Sequence, residues 1–69
     1  MRSEEAREIV NMVESRLGIR FSRTEVTDTL FLTGRKMELN HQEDGYFPIL
    51  FQNELEDLCT RKAINTFFQ

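Results

Sequence analysis

Cysteine, histidine and proline each occur once in this chain of 69 residues, and tryptophan is absent. Each scarcity closes a route. A single Cys59 cannot form an internal disulfide, so that means of stabilising a small chain is missing. His41, with no second histidine and one lone thiol, does not complete a tetrahedral zinc set, and no metal or cofactor is expected. No apolar run approaches the roughly 20 residues of a membrane span, so no membrane association is expected. Met1-Arg2-Ser3-Glu4-Glu5 lacks the basic-then-apolar layout of a secretory signal. A lone thiol without an export signal fits a reducing, cytoplasmic location.

Size sharpens these exclusions. A chain this short buries only roughly 60% of the surface exposed on unfolding. Its core supplies on the order of 3–5 kcal/mol of net stability. With disulfide and metal set aside, a partner surface is the remaining source of extra stability. Charge is also uneven. Residues 1–36 carry seven bases and six acids, and residues 37–69 carry two bases and six acids, for a net charge of −3. No basic stripe appears, which disfavours general nucleic-acid affinity. The acidic half could meet a basic protein surface, although a solvated helix face is the plainer account.

What the chain does contain is helix punctuation. Ser3 reads as an N-cap ahead of Glu4, Glu5 and Glu8, with Arg16 at the far end, matching the helix dipole. Ala6, Ile9, Val10, Val13 and Leu17 form one apolar stripe over residues 4–17. Gly18 supplies a left-handed stop. Ser22-Arg23-Thr24-Glu25 is a capping box, and Phe21 with Val26 has the spacing of a hydrophobic staple. The second helix therefore spans 23–39. Its Val26, Leu30 and Met37 share a face with Thr29, Thr33 and Gly34, while Phe31, Leu32 and Leu39 lie on the other side. Gly34 either admits a close neighbour or is a local weak point.

Residues 40–46 read as a polar loop with an Asp44-Gly45 turn. A calcium-loop comparison through Asn40, Gln42, Asp44 and Gly45 fails, because Phe51 stands where a bidentate glutamate is required. The third helix spans 48–67 from Pro48, which suits a first helical position. A start at Asn53, with Glu56 closing a second capping box, is the alternative. Glu54, Glu56 and Asp57 would then complement the dipole of a first turn. Along this helix Phe51, Leu55, Leu58, Cys59 and Ala63 form one face, and Ile49, Leu50, Ile64, Phe67 and Phe68 another.

No catalytic constellation assembles. His41 sits among polar loop residues without an orienting partner. Cys59 lacks a base or helix N-terminus and reads as a small core hydrophobe. The path from Leu17-Gly18-Ile19 into the second helix resembles a helix-turn-helix, but Arg20-Phe21 lengthens the turn. Its recognition face would be Arg23, Thr24, Thr27 and Asp28, a thin set containing an acid that repels phosphate.

These readings predict an all-α fold: a small three-helix bundle forming one helical domain over residues 1–69. The chain is expected to be a non-enzymatic protein–protein interaction module, a homo-oligomeric structural or adaptor subunit. A symmetric homodimer is expected through Ile64, Phe67 and Phe68, because a helix with two apolar faces must be central or shared between chains. A helix-turn-helix-like DNA-binding regulator is the alternative, as is an acidic inhibitor covering a basic site on a heterologous protein partner.

Overall fold

The computed structural model describes the backbone of residues 3–68 and the side chains of residues 4–66. It is an all-α, three-helix bundle: α1 (Ser3–Leu17), α2 (Arg23–Leu39), a 3-10 turn (Asp44–Tyr46) and α3 (Phe47–Phe68). Among the described residues there is no strand. Ser3 is already helical rather than preceding the helix, and its side chain lies outside the described residues.

The turn between α1 and α2 is built on one glutamate. The Gly18 and Ile19 amides donate to the Glu14 carbonyl at 2.9 and 3.2 Å. The Phe21 amide donates to the Glu14 carboxylate at 2.8 Å. Gly18 holds φ +65°, which a side chain would disfavour. Both halves of the capping box then form: the Ser22 amide donates to Glu25 Oε1 at 2.8 Å, and the Glu25 amide donates to Ser22 Oγ at 3.1 Å. Helix α2 ends differently. His41 adopts φ +53°, with Gln42 N–H donating to Met37 O at 2.9 Å and His41 N–H to Glu38 O at 3.3 Å. That is a Schellman closure carried by a histidine where glycine is usual.

The third helix is central and unbroken. It packs against both α1 and α2, which touch each other only sparsely. Ala6, Val10 and Val13 of α1, Met37 of α2, and Phe47, Phe51 and Leu55 of α3 make the buried apolar core. The Phe47 and Phe51 rings stack with centroids 5.4 Å apart. Thr29 and Thr33 are also buried. Each satisfies its hydroxyl by donating to the carbonyl one turn back, Glu25 O at 2.7 Å and Thr29 O at 2.8 Å.

Several expected core positions differ. Leu17 and Ala63 are exposed, because α1 stops before α3 does. At about 1.5 Å per residue the two helices are roughly 22 and 33 Å long, so the last turns of α3 outrun their partner. Leu50, assigned to the outer face of α3, is partly buried against the core. Gly34 admits no close neighbour: a Cβ there would meet nothing within 4 Å.

Candidate interaction surface

Helix α2 has two faces. One carries Thr29, Thr33 and Met37 into the core, with Val26 and Leu30 partly buried beside them. The opposite face carries Phe31, 58% exposed, Leu32, and Leu39, 71% exposed. Thr27, Asp28, Arg35 and Glu38 line the shallow depressions around these side chains. At about 100° per residue, Asp28 and Arg35 fall within about 20° of each other on this outer face. Phe31 and Leu32 lie to either side of the line joining them.

The edges of α2 are tied to α3 by charge. Lys36 Nζ meets Glu54 Oε2 at 2.7 Å. Lys62 Nζ donates to Glu25 Oε1 at 2.9 Å and to the Arg20 carbonyl at 3.2 Å, and lies 5.6 Å from the Phe21 ring centroid. The Ser22 backbone amide, and after it Lys62, hold the Glu25 carboxyl below its ordinary value of 4.5. Arg16 of α1 pairs with Glu56, while Arg61 and Asp57 pair along α3 at 3.5 Å. Among the described residues, Asp28 and Arg35 take part in no ion pair or side-chain hydrogen bond.

These pairings set aside the alternative start at Asn53, in which Glu54, Glu56 and Asp57 would be first-turn acids. Because α3 begins at Phe47, all three sit past its first turn, and two of them bridge to the other helices. The structure also places Ile64 on the projecting end of α3, 49% exposed. The side chains of Phe67 and Phe68, expected beside it at an interface, lie outside the described residues. Arg23, Thr24, Thr27 and Asp28 are all exposed at the start of α2. Arg23 and Thr27 share a groove with Ala6, Arg7 and Val10 of α1.

The other singled-out residues lie apart. His41 is exposed in its left-handed turn. Cys59, expected in the core, is half-buried and lines an open groove with Leu17, Ile19 and Ala63. Asn40 Nδ2 donates to its own helix at Lys36 O, 2.8 Å. Among the described residues no group of three or more His, Cys, Asp or Glu side chains could hold a metal ion. None of the described helices is long and apolar enough to cross a membrane. Glu14 is the positioning residue that sequence reasoning passed over. Its only signal was its place four residues before Gly18.

Comparison with known proteins adds no relative: no family model, no curated protein and no solved structure matches the chain.

Proposed function

We propose that this chain is a protein–protein interaction module that works as a homo-oligomer, a structural or adaptor subunit without chemistry of its own. The observation that carries the reading is the outer face of α2. Phe31, Leu32 and Leu39 are exposed there on a helix whose opposite face already serves the core. Large side chains left in water on a chain this small favour association, because covering them removes apolar surface that the fold itself leaves wet. A lone thiol suits a reducing compartment such as the cytoplasm. The projecting end of α3, with Ile64, Phe67 and Phe68, is a second candidate surface for the same function.

Light scattering on the eluting protein tests this reading. A mass above the 8.2 kDa of one chain, rising with loading concentration, supports it. A constant monomer mass into the hundreds of micromolar overturns it.

The DNA-binding reading rests on the exposure of Arg23, Thr24 and Thr27 on α2 and of Arg7 across the groove. It is the weaker one. Asp28 stands among these groups, and the same face continues into Phe31 and Leu32, which offer nothing to phosphate. Titration with duplex DNA at low salt decides it, since phosphate contacts give at least weak non-specific affinity.

A further inference from the structure

The outer face of α2 is self-complementary, and we infer that a second copy of this chain docks on it antiparallel, α2 against α2, about a two-fold axis passing between Phe31 and Leu32. The inference rests on the homo-oligomer reading above and assigns it a surface and an orientation.

Two charges on this face, Asp28 and Arg35, lack a partner among the described residues of their own chain. Both are exposed and lie on one line along the helix. Seven residues separate them, about 10 Å of helix. Intrahelical pairs form at three or four residues, so these two do not serve each other. They stand at equal distances, about 5 Å, on either side of the midpoint between residues 31 and 32. A two-fold axis through that midpoint, perpendicular to the helix, brings Asp28 of each copy level with Arg35 of the other. The pair forms twice, once on each side of the axis, as an isologous contact requires.

The apolar side chains fit the same operator. Phe31 and Leu32 lie on opposite sides of the Asp28–Arg35 line, about 100° apart. The rotation therefore sets Phe31 against Phe31 of the second copy on one side, and Leu32 against Leu32 on the other. Leu39, farther along, comes level with Thr24. A parallel arrangement places Asp28 against Asp28 and Arg35 against Arg35, and repulsion rejects it. The apolar pairs thus supply contact, and the two ion pairs supply direction.

Size bounds the strength. The seam is one helix, about 25 Å long, which falls short of the roughly 800 Å² per partner usual in tight complexes. Exchange between monomer and dimer is therefore expected, rather than a permanent dimer.

Charge exchange tests this with sedimentation velocity. Asp28→Arg and Arg35→Asp each set like charges together across the seam, and each should weaken self-association at least about tenfold. An equimolar mixture of the two variants restores opposite charges at every contact, and should sediment as a heterodimer while each alone remains monomeric. The double variant Asp28→Arg/Arg35→Asp should self-associate like the unaltered protein. Both positions are exposed, and unchanged helical circular dichroism separates lost association from lost folding. A dimer indifferent to both single changes but dispersed by Ile64→Ser overturns this seam and leaves the homo-oligomer reading standing. An unaltered protein that stays monomeric overturns both.

Discussion

Gly18 and Gly34 are the same residue in opposite circumstances. Gly18 closes α1 at φ +65°, so Gly18→Ala should destabilise the fold by about 1 kcal/mol. Gly34 lies inside α2 with open space around its Cα, so Gly34→Ala should stabilise by a similar amount, about 1 kcal/mol. Thermal melts of the two variants should shift in opposite directions. Glu14 anchors three connector amides. Glu14→Ala removes only the carboxylate contact to Phe21 N–H and should cost about 1 kcal/mol in urea unfolding; no change would show that this contact is dispensable. The role of Gly18 was readable because glycine after an apolar stripe has one common use. The indifference of Gly34 was not, since helical spacing does not say how near the next helix comes. The left-handed His41 was equally hidden, because its sequence context marks a loop without marking which residue turns.

At the scale of elements, α2 was legible from end to end, because its capping box states where it begins. Ser22→Ala should cost about 1 kcal/mol, and a variant melting with the unaltered protein would contradict the observed cap. Glu25 also accepts from Lys62 of α3, which makes the junction sensitive to acid. Its folded-state carboxyl is held below the ordinary value of 4.5. The stabilisation is therefore present above that ordinary value and is lost as pH falls through the lowered one. Glu25→Gln should be less stable near neutral pH and should show a shallower acid decline. Parallel acid slopes for the two proteins would rule out Glu25 as a contributor. The sequence of α3 offers two starts, at Pro48 and, as the alternative, at Asn53. Pro48 and Asn53 both suit a first turn locally, and the choice is made by tertiary burial: Phe47 and Phe51 stack inside the core, which keeps residues 47–52 helical. The same outcome moves Glu54 and Glu56 from dipole partners to bridges between helices.

For the whole molecule, size decides what a core substitution does. Phe51 is fully buried at the meeting of all three helices. Phe51→Ala should cost about 3–5 kcal/mol, comparable with the whole net stability of a core this small. The variant should therefore be largely unfolded at room temperature by circular dichroism, and a cooperative melt near that of the unaltered protein would contradict the central place given to α3. The three-helix fold was legible because caps, stops and apolar spacing agree along most of the chain. The interaction surface was less so. Sequence spacing gives α2 two apolar sides, with Phe31, Leu32 and Leu39 together on one of them, but does not say which side the core takes. Only the structure shows that, among the described residues, Asp28 and Arg35 have no ion-pair partner while Lys36, Lys62 and Arg16 are engaged. A concentration series of amide NMR spectra tests the assigned surface most directly. On raising the concentration from micromolar to several hundred micromolar, shifts should gather at Thr24, Asp28, Phe31, Leu32, Arg35 and Leu39. Spectra that do not change, or changes confined to the end of α3 around Ile64, would contradict it.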